Sequence, residues 1–348
     1  MDTLTHGLSG ALLGQAFRNK VKNVKPKTFL VVGIFASIFP DLDIVFRLFS
    51  SESYLANHRG ITHSILLLPF WSYLVSLFLA YLFKNKVLFH KDWINESSTI
   101  KELQKEFFNL TIVSIIIHIV FDIITTYGTM LLSPLNNTRF EHGSVFIIDF
   151  WFSGIIILGL FVSWLSKQQK NIVATLFLLI LSTYISFTQY LKYEAESFAT
   201  SQLTLIDKNV SHYEISSHPR FLSPFSWNVV AFDPVEETYY SADFNLNDTP
   251  NNSNFWKKIP KWGEGEMSSN ISKHAWFDKE FELFRQFIKV PSFYKIMKND
   301  EKICAYFEDL RFSMAERENP FIFGLCVNKN GAKYRSQLIN NQDVRLND

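Results

Sequence analysis

The chain has 348 residues, a length that suggests about two domains. Apolar residues make up 47% of it and charged residues 19%, below the usual ~25%, which excludes disorder, collagen-like repeats and coiled coil. A net charge of +1 excludes a generally basic nucleic-acid binder, and two Cys exclude a disulfide scaffold or a thiol zinc finger.

The average hides a split. Residues 1–190 carry 15 Lys/Arg and 11 Asp/Glu, whereas residues 191–348 carry 19 and 22. The sparse first part reads as an α-helical membrane domain over residues 1–191, and the denser second part as a soluble domain over residues 192–348. In chain order, Leu4–Phe17 is apolar and rich in small residues. It is short for a span, and it lacks the basic start and cleavage site of a signal peptide. Thr28–Phe49 is apolar but holds Asp41, Asp43 and Arg47. Ser64–Phe83 offers twenty residues without a charge, enough to cross a hydrocarbon core. Phe107–Leu132 contains His118 and Asp122, Val145–Leu165 contains Asp149, and Asn171–Leu191 is uncharged. The pattern predicts about six segments, near 4–17, 28–49, 61–83, 107–132, 145–166 and 171–191.

Lys/Arg placement orients them. Twelve cations fall in the loops after the first, third and fifth segments: Arg18, Lys20, Lys22, Lys25, Lys27, Lys84, Lys86, Lys91, Lys101, Lys105, Lys167 and Lys170. The intervening loops hold Arg47, Arg59 and Arg139. Positive loops stay in the cytoplasm, so the expectation is a multi-pass inner-membrane protein. Its N-terminus, its 50–60 and 133–144 loops and its C-terminal domain then lie outside.

That C-terminal domain reads as α+β around an antiparallel sheet. Trp227–Asp233 and Glu237–Phe244 are β-rich runs joined by a turn at Asp233-Pro234, and Ile303–Phe312 and Phe321–Val327 are further strands. Asp278–Ile288 has Phe281, Phe284 and Phe287 at helical spacing and reads as one amphipathic helix. Asp248–Asn254 is a polar loop. Cys304 and Cys326 fall on neighbouring strands, which leaves open a disulfide or two buried thiols.

Ionisable groups inside apolar spans are costly and point to function. Here His6, Asp41, Asp43, His58, His63, His118, Asp122 and Asp149 all map to the outer half of the membrane on the orientation above. His118 and Asp122 are one helical turn apart on one face. Imidazoles and carboxylates are ligands for Zn²⁺ and similar ions, and the eight suit a cluster of two or three divalent ions. Pro40 should break its helix and point Asp41 and Asp43 into a cavity. Arg59 lies between two of the proposed ligands and suits a phosphate. Thr62 is expected as an N-cap, and Thr125 and Thr126 as hydroxyls bonded back to their helix. His142 is expected at the surface, and His90, His212, His218 and His274 as structural.

These motifs resemble the membrane-bound metal-dependent hydrolase family of YdjM-type inner-membrane proteins. The matching pieces are Met1-Asp-Thr-Leu-Thr-His-Gly7, Pro40-Asp-Leu-Asp43, His58-Arg-Gly-Ile-Thr-His63, His118-x-x-x-Asp122 and Ile148-Asp149. Pro224-Phe-Ser-Trp227 and Asp309-Leu-Arg-Phe312 match more loosely, and Phe150 departs from the Pro expected after Asp149. The family is distantly similar to zinc-dependent phospholipase C and single-strand-specific zinc nucleases. The resemblance implies a phosphoester hydrolase with Asp41, Asp43 and Arg59 near the chemistry, acting on a membrane lipid or lipid-linked phosphoester. No nucleic-acid role is assigned. The alternative is a non-catalytic membrane metal sensor or structural metal site. A carrier is disfavoured because the cytoplasmic half offers no ligands.

Overall fold

The computed structural model describes residues 1–18, 23–87, 93–166, 168–248, 255–313 and 319–346. Lys20, Lys22, His90, Lys91, Lys167 and most of the polar loop at Asp248–Asn254 lie outside the described residues. The chain divides into two compact units: Met1–Val45 with Asn57–Tyr190, and Phe46–Ala56 with Leu191–Asp348.

In the first unit, α1 (Thr3–Phe17) starts at Asp2. The Asp2 carboxylate accepts from the Thr5 backbone N–H at 3.0 Å and from Thr5 Oγ1 at 2.6 Å, satisfying donors that a helix start leaves free. α2 (Pro26–Ile38) opens on a proline, whose missing N–H is harmless there. The expected helix over Thr28–Phe49 stops at Ile38, and Phe39–Leu48 continues as 3-10 helix. Pro40 accounts for the break, since it lacks the N–H that the α pattern needs. In this segment Asp41 and Asp43 are buried, while Leu42 is 57% and Ile44 55% exposed.

α3 (Ser51–Asn57) is followed by a 3-10 turn, Ile61–His63, and then α4 (Leu68–Lys84). α4 thus begins later than the expected Ser64, and Thr62 sits inside the turn rather than capping a helix. α5 (Ile100–Ile123) starts at a reciprocal cap between Thr99 and Glu102, α6 (Phe150–Leu165) at Asp149, and α7 covers Lys170–Leu203. α1 and α2 touch backbone to backbone. A Cβ on Gly10 would lie 2.2 Å from the Gly33 carbonyl oxygen, and one on Gly33 would lie 2.0 Å from that of Gly10. Small residues permit such an approach, which is how helices associate in lipid.

Among the described residues, three stretches are long and apolar enough to cross a membrane: Pro26–Leu48, Ile100–Ile123 and Lys170–Leu203. The number rises to four if Ser51–His63 and Leu68–Lys84 form one broken span. α1, at 15 residues, and α6, at 16, fall short of the ~20 that a span ordinarily needs.

Among the described residues, the second unit holds two antiparallel sheets where the sequence suggested one. The first is a meander of β1 (Glu214–Pro219), β2 (Ser226–Asp233), β3 (Thr238–Asn245) and β4 (Lys257–Pro260). The second is a meander of β5 (Pro291–Lys298), β6 (Lys302–Asp309), β7 (Ile322–Asn328), β8 (Lys333–Ile339) and β9 (Gln342–Arg345). α8 (Glu266–Phe277) has no counterpart in the sequence reading. The single helix expected over Asp278–Ile288 is a 3-10 turn, Lys279–Phe281, followed by the short α9 (Glu282–Phe287). Its apolar face still packs as the spacing requires: Phe284 stacks on Phe323 at 4.4 Å, and Phe281 meets Phe307 at 5.1 Å. Cys304 and Cys326 stand opposite each other in the β6–β7 register and are joined as a disulfide.

Candidate metal centre

Within the first unit, α1, the Phe39–Leu48 segment, the Ile61–His63 turn and α5 deliver polar side chains to one buried place. His6, His63, His118 and Asp122 are fully buried, and Asp41 is 9% exposed. His6 Nε2 is 3.1 Å from Asp122 Oδ1, and His63 Nε2 is 3.1 Å from Asp122 Oδ2. His118 Nε2 is 3.5 Å from Asp122 Oδ2 and 3.6 Å from Asp41 Oδ1. His63 Nε2 lies 3.9 Å from Asp41 Oδ1. The His6 and His118 rings stack at 3.7 Å. One ligand atom each from His6, Asp41, His118 and Asp122 falls within a 4.8 Å span.

Two observations show that these groups fit a divalent cation. The first is spacing. Ligand atoms ~2.0–2.2 Å from an ion stand roughly 2.8–3.6 Å apart at right-angle to tetrahedral arrangements, which matches most of the separations above. The second is proton placement. His118 Nδ1 lies 2.6 Å from the Ser37 carbonyl oxygen, so it carries the hydrogen, and a neutral ring turns a bare Nε2 lone pair inward. His63 Nδ1 faces Thr62 Oγ1 at 3.0 Å and Asp43 Oδ2 at 3.5 Å, while its Nε2 lies 3.0 Å from that of His118. With Nδ1–H turned to Asp43, two lone pairs point at each other. Asp122 Oδ2 is buried in their midst and accepts no hydrogen bond. A buried acceptor without a donor is costly, and a cation satisfies all three atoms at once.

The second layer is organised around Asp43. Its Oδ1 is 2.8 Å from His58 Nδ1, and its Oδ2 accepts from the Arg59 backbone N–H at 2.7 Å. Both oxygens being taken, Asp43 orients the histidine turn instead of facing the inner group, and His58, bonded to it, stands a layer out. Thr3 Oγ1 donates to Asp41 Oδ2 at 2.6 Å, which turns Asp41 Oδ1 inward. Arg59, backbone φ 60°, places Nη2 3.0 Å from Asp122 Oδ1 and donates from Nη1 to Thr125 Oγ1 at 3.1 Å. The Met1 amino group also donates to Asp122 Oδ1. Arg139 Nη1 donates to the His58 carbonyl at 3.0 Å, so it is a buried clamp and not a free loop cation.

Asp149 stands apart from this group. It caps α6, accepting from the Phe152 N–H at 2.8 Å and from Tyr184 Oη at 2.9 Å. Thr125 bonds back to the Asp122 carbonyl at 2.8 Å, as expected, and His142 meets Gln189. Sequence reasoning overlooked Asp2, Thr3, Thr5 and the Ser37 carbonyl. For the first three, the signal is the opening Asp-Thr-Leu-Thr-His run itself: Asp2 caps, Thr3 holds Asp41, Thr5 bonds Asp2 and Ser153 Oγ, and His6 enters the cluster.

The model of the "YdjM inner membrane protein" family matches residues 1–195, more than half of the chain and the whole of this site. The chain belongs to the YdjM inner membrane protein family. Among curated proteins it is similar to "Uncharacterized protein YfhP" of Bacillus subtilis (strain 168), with 30% identity over 153 residues. That match covers 43% of this chain and 42% of the relative, so the chain spans less than half of the relative's length. No solved structure matches. The YdjM match establishes membership of a membrane-protein family and leaves chemistry to the site.

Proposed function

We propose that this protein is a membrane-embedded metal-dependent hydrolase that cleaves a phosphoester of a lipid or lipid-linked substrate. The observation that carries the reading is the buried convergence of three imidazoles on Asp41 and Asp122, with His63 Nε2 and His118 Nε2 3.0 Å apart. His6, Asp41, His118 and Asp122 would hold one divalent ion, and His63 would share it or hold a second; zinc suits this donor set. A third ion would need Asp149, which is engaged at the start of α6. Such an ion supplies a bound water with a pKa lowered towards ~7 and polarises a phosphoryl oxygen.

The chain's own groups have matching roles. Asp41, 9% exposed, would face the ion and its bound water through Oδ1 while Thr3 holds Oδ2. Arg59 keeps a buried Nε without a partner and is set to contact a phosphoryl oxygen. Asp43 positions His58, the Arg59 backbone and His63. The exposed apolar side chains of Leu42 and Ile44 flank the two aspartates, which favours substrate arriving sideways from the bilayer.

The topology proposed with this reading has six segments, α1 and α6 completing the bundle, with the C-terminal domain outside the cytoplasm. The Lys/Arg asymmetry and the Cys304–Cys326 disulfide, which an oxidising compartment preserves, support it.

A second reading, a non-catalytic metal site, draws on a specific feature. Arg59, the Met1 amino group and His6 all converge on Asp122 Oδ1, a pattern that also serves a closed structural centre. Purified, metal-loaded protein assayed against phosphomonoesters and phosphodiesters separates the two. The hydrolase reading expects hydrolysis that chelation abolishes and added zinc restores. A metal-replete protein inert on every ester would favour the second reading.

A further inference from the structure

Beside the cluster, α2, the Phe39–Leu48 segment and α4 enclose an apolar groove of about 270 Å³. One wall is Phe35, Phe39 and Leu42; the other includes Trp71, Leu74 and Phe78. Both sets recur at one-turn spacing, so each forms a continuous stripe along its wall. The walls are tied at the site end, where Phe39 meets Trp71 at 5.3 Å and Trp71 Nε1 donates to the Ile61 carbonyl at 2.9 Å.

Both walls are chained to the metal-binding residues. Phe39 and Leu42 flank Pro40 and Asp41, and Ile61 is two residues before His63. α2 runs towards the site and α4 runs away from it, so Leu42 and Trp71 mark the near end and Phe35 and Phe78 the far end. From Trp71 to Leu79, the last residue of the groove, the helix rises about 12 Å. That is close to the depth of one leaflet, half of a ~30 Å hydrocarbon core.

We infer that this groove holds one long acyl chain of a membrane phospholipid whose headgroup reaches Asp41 and Arg59. The inference rests on the hydrolase reading for what happens at the headgroup, though not for the binding itself. Several facts favour an acyl chain. The groove lies on stretches apolar enough to cross a membrane, where the surrounding medium is acyl chain. Leu42, at its near end, is the chain neighbour of Asp41, which is 9% exposed. Its far wall carries no polar side chain that a peptide or a soluble ester would require. Lipid tails are as apolar as Leu, so the preference comes from close packing against the four aromatic side chains Phe35, Phe39, Trp71 and Phe78 and from the headgroup's contact with the cluster.

The test is a phospholipid with a photoactivatable group near the end of one acyl chain, in vesicles holding the full-length protein, with the cross-linked peptides mapped by mass spectrometry. Label should concentrate on Phe35–Leu42 and Trp71–Leu79, and fall several-fold in Leu74→Trp, which fills the groove. Leu74→Phe serves if the larger residue prevents folding, with retained metal content reporting a folded centre. Excess unlabelled long-chain phospholipid should compete, whereas inorganic phosphate should not. Label spread evenly over lipid-facing positions such as Leu158 and Phe161 of α6, or indifferent to Leu74→Trp, would mean general bilayer lipid only and would overturn the inference. Concentrated label on a protein that cleaves no ester would sustain the groove and sink the hydrolase reading. Hydrolysis with evenly spread label would do the reverse.

Discussion

At Asp43 the two carboxylate oxygens are spoken for, one by His58 Nδ1 and one by the Arg59 backbone. Outer carboxylates of this kind fix ring orientation, and losing one typically weakens metal binding about 10–100-fold. Asp43→Asn is therefore expected to lower metal affinity by that order while leaving binding measurable in a chelator competition, whereas Asp122→Asn should abolish it. The two aspartates were equivalent in sequence, because residue type and spacing show which groups are near and not which oxygens are already taken. The His118–Asp122 pair was legible because one turn of helix decides it. Asp149 illustrates the opposite limit: an Asp ahead of an apolar run is as much a helix cap as a ligand, and Phe152 and Tyr184 decide in favour of the cap.

In the second unit, His218 is a residue whose burial has a pH consequence. It is 5% exposed on β1, and burial, with Lys192, Arg311 and Arg220 nearby, holds its pKa well below the ordinary 6.5. The folded domain keeps it neutral while the unfolded chain protonates it below pH 6.5. The penalty therefore begins as pH falls through that value and grows by about 1.4 kcal/mol per pH unit. Unfolding curves at stepwise lower pH should show wild type losing stability faster than His218→Gln below pH 6.5. Parallel curves would place the pH dependence elsewhere.

Among the elements, α1 has the most exacting placement, since it brings His6 and Thr3 to the cluster through a backbone contact with α2. Gly10→Ala would put a methyl 2.2 Å from the Gly33 carbonyl oxygen, so the helices must separate. Overpacking costs about 1–3 kcal/mol. The variant should melt earlier in detergent and release metal more readily, since His6 lies one turn before the contact. Unchanged melting and metal affinity would show that α1 is not held in this way. The small-residue run of α1 was visible in the sequence, but its partner was not, because a contact between helices leaves no mark on local periodicity. The break after Ile38 was visible, since Pro40 dictates it. Strands β1, β4, β5, β8 and β9 were not: their short or polar-rich runs carry weak alternation, and only pairing across the sheets selects them.

For the whole molecule, charge density suggests a division near residue 191, and the two compact units divide there except that Phe46–Ala56 groups with the second. The span count was not legible in this way, because helices of 15 and 16 residues sit on the boundary between crossing and packing. The disulfide closes a sequence separation of 22 residues, which corresponds to about 3 kcal/mol of stability. Cys326→Ser should destabilise the second unit by that order, and the wild-type protein from intact cells should take up alkylating agent only after reduction. Alkylation without reductant would show free thiols.

Metal content per chain, measured on full-length protein purified without chelator, decides whether the buried histidines and aspartates of the first unit hold a metal ion. At least one divalent ion per chain is expected in wild type, with loss in His118→Ala and Asp122→Asn and retention in His212→Ala and His274→Ala. Full metal content in His118→Ala and Asp122→Asn, or a wild-type protein that takes up no divalent ion at all, would contradict that expectation.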